Sequence, residues 1–151
     1  MSITIRVNKN NSSIRLNMKK LQKLTRTVCR HFKVKRTVVE IEIVGDYQIR
    51  KMNRKYLKKN RITDCISFDL TGKSKTNLYL IVVNAQRAAR EAIKRQQPKE
   101  AELLLYILHG LLHNLGFDDR KKRDAALMHK TEDAFLQQIG CGLVYNSGKN
   151  N

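Results

Sequence analysis

The chain has 151 residues, and its 31 Lys and Arg against 13 Asp and Glu give a formal net charge of +18. That length can bury one core without staples, and no apolar run nears the roughly 20 residues that span a bilayer. A surface this basic attracts polyanions, nucleic acid above all; with no Trp, four Phe and five Tyr, such binding would run mostly through phosphates.

Residues 3–8 predict a first strand, with Ile3, Ile5 and Val7 on one face. The N-terminus lacks the apolar block of a signal peptide, which points to the cytoplasm. Residues 8–13 read as a polar turn. Asn17 is a suitable N-cap for a helix to about Phe32, with Met18, Leu21, Leu24, Val28 and Phe32 on its apolar stripe. Its other side carries Lys19, Lys20, Lys23, Arg26 and Arg30, a first candidate nucleic-acid face. Residues 38–44, rich in β-branched side chains, predict a second strand. Gly45 and Asp46 end it and cap a second helix to about Lys58, with Ile49, Met52 and Tyr56 at core spacing. That helix ends in a basic cluster of Arg50, Lys51, Arg54, Lys55, Lys58, Lys59 and Arg61.

A short strand over 65–70, a polar turn over 71–77 and a nearly all-apolar strand over 78–83, covered on both faces, come next. Asn84 starts a basic helix to about Gln96, and Pro98 opens another. The last helix spans 122–138, with Ala126, Leu127, Phe135, Leu136 and Ile139 as its apolar residues. The pattern predicts an α+β fold: a four-stranded mixed sheet packed against helices in the order β-α-β-α-β-β-α-α-α. Residues 1–140 read as a single domain and 141–151 as a flexible tail. Cys29, Cys65 and Cys141 form no close pair, so reduced thiols and no disulfide-linked partner are expected.

The chemistry concentrates in His109-Gly110-Leu111-Leu112-His113-Asn114-Leu115-Gly116-Phe117-Asp118-Asp119. Four residues apart on a helix, His109 and His113 point their imidazoles to one side. Gly116 stops the helix, because glycine alone enters the left-handed conformation without penalty. The returning chain offers Asp118 or Asp119. Two imidazoles and a carboxylate suit zinc, with a fourth position left for water. Zinc proteases place Glu directly after the first His as general base; Gly110 stands there, which disfavours peptide hydrolysis. His31 and His129 read as surface or packing residues, His129 being the better reserve ligand.

Four stretches carry a resemblance to the YbeY family of zinc-dependent endoribonucleases. They are Met52-Asn53-Arg54-Lys55-Tyr56, Thr63-Asp64-Cys65-Ile66-Ser67-Phe68, Pro98-Lys99-Glu100, and His109 to His113 with Gly116-Phe117-Asp118. The match covers most of the chain, from the second helix through the last. The resemblance implies a metal-dependent endoribonuclease acting in ribosomal RNA maturation and quality control, cleaving phosphodiesters with a zinc-activated water. The site implied is metzincin-like, with one zinc ion per chain on the helix bearing both histidines. The family's three histidine ligands fall on His109, His113 and position 119, which is Asp119 here. Asp64, Ser67 and Arg61 become catalytic candidates, and Arg50, Arg54, Lys58 and Lys59 candidates for holding RNA. The implied partners are ribosomal RNA and the ribosome, with no membrane. The family's arginine after the second-helix tyrosine is Leu57 in this chain. Leu57 and Asp119 support the alternative of a catalytically weakened RNA- or ribosome-binding factor that keeps the fold.

Overall fold

Apolar alternation and β-branched runs fold into the four expected strands in a computed structural model that describes residues 2–10 and 14–141. Residues 11–13 of the expected first turn, and residues 142–151 of the expected tail, lie outside the described residues. The elements are β1 (Ile3–Lys9), α1 (Met18–His31), β2 (Thr37–Val44), α2 (Asp46–Leu57), β3 (Cys65–Asp69), β4 (Asn77–Asn84), α3 (Ala85–Arg95), α4 (Lys99–Asn114) and α5 (Lys122–Gln138). This is the predicted order, and the sheet is mixed as expected. Its strands lie in the order β1-β2-β4-β3, parallel except for the β3–β4 pair.

Neighbouring strand residues point to opposite faces, and β4 uses both. Ile81 and Val83 join Val39, Ile41 and Ile43 beneath α1, α4 and α5 in the main core, while Val82 joins Val44, Ile66 and Ile49 beneath α2. The predicted cover on both faces holds for residues 81–83, while Leu78 and Leu80 are half-buried. Helix α4 is the spine of the main layer, with all of residues 101–108 buried. A helix that is apolar nearly all round belongs inside a domain.

The caps show how the pieces lock. Asn17 Oδ1 accepts hydrogen bonds from Lys19 N and Lys20 N, as expected of an N-cap. The cap of α2 comes from elsewhere. Gln86 of α3 accepts from Asp46 N at 2.7 Å, and a Cβ on Gly45 would stand 2.6 Å from that same oxygen. Asp46 turns its carboxylate to Arg90, at 2.7 and 2.9 Å, and to Asn84 Nδ2 at 2.8 Å. The Arg90 hydrogen bonds hold this carboxyl below the usual carboxylate range.

Four side chains assigned to apolar stripes are exposed instead: Met18, Tyr56, Ala126 and Leu127. Helix α2 covers only the β3–β4 part of its face, so Tyr56, in its last turn, overhangs and meets Phe68 edge-on at 5.7 Å. Helix α5 is rotated because its inward face includes two acids, Glu132 and Asp133, beside Met128, Phe135 and Leu136. Periodicity counted on apolar residues misses such a face. Among the described residues no helix is long and apolar enough to cross a membrane.

Candidate metal centre

The close approach of Gly110 to Ile81 and Cys65 fixes the roll of α4, and His109 and His113 stand at its partly open end, one turn apart. Gly116, at φ +104°, reverses the chain, and the turn closes with Phe117 N donating to Leu112 O at 3.0 Å. The reversal carries the Phe117 carbonyl back to His113, whose Nδ1 donates to it at 3.0 Å. Asp118 caps the next turn by accepting from Arg120 N at 3.1 Å. Of the two acids, Asp119 is the one turned to the histidines.

Three ligand atoms converge. His109 Nε2 and His113 Nε2 are 3.1 Å apart, and Asp119 Oδ2 lies 3.3 Å from the first and 3.5 Å from the second. Ligands roughly 2.0–2.1 Å from a tetrahedral zinc are separated by about 3.3–3.4 Å, so the triangle has the right edge. The tautomers point the same way. A carbonyl only accepts, so His113 Nδ1 carries the proton and its Nε2 presents a lone pair. His109 likewise donates from Nδ1 to Glu132 Oε2 at 2.9 Å. Two nitrogen lone pairs and a carboxylate oxygen therefore face one point, an arrangement that calls for a cation. Side-chain exposure rises from His109 (16%) through His113 (29%) to Asp119 (38%), so the triangle opens to solvent on the Asp119 side.

Burial opposes a charge on His109. The hydrogen bond and charge of Glu132, with the charges of Asp64 and Asp119, outweigh it and raise the imidazole above its ordinary pKa. A proton competes with a metal for the Nε2 lone pair, so uptake would weaken as pH falls.

Gly110 explains why this helix cannot carry the protease base. A Cβ there would lie 2.7 Å from Ile81 Cγ2 and 2.8 Å from Cys65 Sγ, where α4 presses on β3 and β4. Cys65 is packed against the helix rather than aimed at the triangle, and burial, with the Asp64 and Glu132 charges, pushes its thiol up. Gly110→Ala is expected to lower stability by about 1–3 kcal/mol through overpacking, despite the better helix propensity of alanine. Urea denaturation with an unchanged m-value checks it.

The other candidates are distributed over two places. Asp64 is half-buried at the start of β3, close enough for its charge to act on His109, and its carboxylate accepts from Thr63 Oγ1 at 3.3 Å. Ser67 pairs with Ile81 and shares a strand face with Cys65, the α4 side. Arg61 is exposed, its carbonyl tied to Asn53 Nδ2 at 3.1 Å. Arg50 and Arg54 stand on the outer side of α2, across the sheet from α4, and Lys58 and Lys59 follow its C-terminus, all exposed.

Sequence reasoning missed Glu132. It is fully buried, one oxygen bound to His109 and Oε1 without a protein partner. The signal was available: Met128, Glu132, Phe135, Leu136 and Ile139 share one helical register, with an acid in a core position. Glu102, one face up α4 from His109, is buried too, bonded to Arg95 at 3.2 Å.

The chain matches the family model described as "Endoribonuclease YbeY" over residues 5–140. It is 36% identical over 104 residues to the endoribonuclease YbeY of Anaeromyxobacter sp. (strain Fw109-5), covering 68% of this chain and 54% of that protein. For the endoribonuclease YbeY of Myxococcus xanthus the figures are 34% over 107 residues, 68% of this chain and 36% of the relative. The match thus spans about half and about a third of the length of these two relatives. The Persephonella marina relative of the same name aligns over 89% of this chain and 92% of its own length at 25% identity. The solution structure of the Thermotoga maritima protein TM1509 superposes with a TM-score of 0.60, over 90% of this chain and 89% of that one, at 21% identity, which supports the fold.

Proposed function

This chain belongs to the endoribonuclease YbeY family, and from that premise we propose that it is a zinc-dependent endoribonuclease of ribosomal RNA maturation and quality control. The observation that carries the reading is the convergence of His109 Nε2, His113 Nε2 and Asp119 Oδ2 within 3.5 Å, with both Nδ1 hydrogens donated away. In this reading these three residues hold one zinc ion per chain. Zinc, when bound, supplies a Lewis acid that polarises a phosphoryl oxygen or activates water.

The chain's own residues do the rest. Arg50, Arg54, Lys58 and Lys59 hold the RNA backbone by charge, so binding weakens with salt. Asp64, beside His109, and Ser67, on the α4 side of β3, orient water or a substrate hydroxyl. Arg61 supplies a cation to charge developing on phosphate. Residues 1–140 act as one domain, working in the cytoplasm on ribosomal RNA or the ribosome.

A second reading, a binding factor with weakened catalysis, is favoured by one observation. Leu57, where the resemblance calls for arginine, is 45% exposed and offers no charge to phosphate. Ribosomal RNA incubated with chelator-stripped protein tests both. Cleavage that appears on adding about one zinc per chain supports the enzyme; salt-sensitive RNA binding with no cleavage at any zinc level overturns it in favour of the factor.

A further inference from the structure

We propose that the outer face of α2 carries a nucleotide subsite that grips single-stranded RNA through one phosphate and one stacked base. The proposal rests on the reading of this protein as one that acts on RNA, and it adds a base-stacking subsite and a new residue, Tyr47. A cavity of about 200 Å³ is lined by Tyr47, Arg50, Lys51, Arg54 and Asn60. The first four stand at i, i+3, i+4 and i+7 of α2, a single helical face.

Among the described residues, the three cations of this face have no counter-charge. Asp46 is the sole acid of α2, and its carboxylate is committed to Arg90 and Asn84. Arg50 and Arg54, one turn apart, repel each other until an anion joins them. Arg50 is also posed in advance. Its Nε donates to Asn60 Oδ1 at 2.9 Å, and the loop bearing Asn60 is tied to α2 by Lys59 N to Asn53 O at 3.3 Å and Asn53 Nδ2 to Arg61 O at 3.1 Å. The side of the guanidinium beyond Nε is a fork shaped for two phosphate oxygens.

Tyr47 separates a nucleotide from a bare phosphate. Its side chain is 80% exposed, more than any other large hydrophobic among the described residues. An aromatic ring held in water beside a phosphate cradle suits a base, and it can stack only on a base that is not paired in a duplex. An acidic peptide would satisfy the cations and leave the ring idle.

Place supports the same reading. Asn60 precedes Cys65 by five residues, and Cys65 packs against Gly110, next to His109. Five residues reach at most about 17 Å. The cradle therefore lies within reach of the edge strand β3, which also packs against α4.

Fluorescence anisotropy with a labelled single-stranded oligoribonucleotide and its duplex, in chelator and across a salt series, tests the proposal. Tyr47→Ala is expected to weaken single-strand binding about 5- to 150-fold, the worth of one stacked base, with duplex binding unchanged and Tyr47→Phe near wild type. Arg50→Gln should weaken both and lower the salt slope by about one. Unchanged single-strand binding by Tyr47→Ala, with zinc uptake and RNA cleavage intact in the wild type, overturns the subsite alone. Wild-type protein that binds neither RNA overturns the subsite together with the reading it rests on.

Discussion

His113→Ala is expected to strip the protein of its zinc. The wild-type triangle has three donors with edges of 3.1 to 3.5 Å, and removing one leaves two ligands and an open angle. Outer partners that merely orient a ligand are worth about 10–100-fold in metal affinity, so a direct ligand should cost more than about 100-fold. Stability should tell the same story from the other side. The variant loses the hydrogen bond to Phe117 O, worth about 1 kcal/mol, but is relieved of one of three converging lone pairs. Metal-free proteins should thus melt within a few degrees of each other, while saturating zinc raises the melting temperature of wild type alone. Plasma emission spectrometry after chelator competition reads the stoichiometry. Asp119→Ala should resemble His113→Ala, and Asp118→Ala should keep about one zinc per chain, because Asp118 is spent on Arg120. Zinc retained at wild-type affinity in His113→Ala would remove the centre from these residues.

What was legible in the chain follows from which forces are local. Caps and periodicity are local, so Asn17, Asn84, Gly116 and the 122–138 helix could be read from neighbouring residues, and the element order followed. The paired histidines were legible because i, i+4 spacing places them on one side of any helix. Long-range partners were not. Gln86 caps α2 from forty residues away, so Gly45 and Asp46 looked like a self-contained cap. The absence of a side chain at Gly110 was visible, but its cause, the approach of Ile81 and Cys65, exists only once α4 lies on the sheet. Tyr56 had core spacing, yet whether a face is covered depends on how far the opposing sheet extends. Spacing alone left Asp118 and Asp119 open, and only the resemblance favoured position 119; the turn after Gly116 gives Asp118 to Arg120.

Glu132 is the case where a missed residue makes the sharper prediction. Its Oε2 accepts the Nδ1 hydrogen of His109 at 2.9 Å, and its other oxygen is buried without a protein partner. As a contributor to folding this is a poor arrangement, because a buried carboxylate with one donor is not repaid for leaving water. As a support for metal binding it is a good one, because the anion fixes the tautomer, aims Nε2 at the triangle and raises the basicity of the ring. The two roles predict opposite signs. Glu132→Gln keeps an acceptor for His109 and removes the charge, so metal-free stability should hold or rise while zinc affinity falls about 10–100-fold. Glu132→Ala takes the acceptor as well, leaving a cavity and a buried N–H, and should cost about 2–4 kcal/mol. Urea denaturation in chelator and zinc competition against a fluorescent chelator measure the two quantities separately. If the Gln variant loses stability and keeps its zinc affinity, Glu132 is a packing residue, and the orientation of His109 must come from α4 alone.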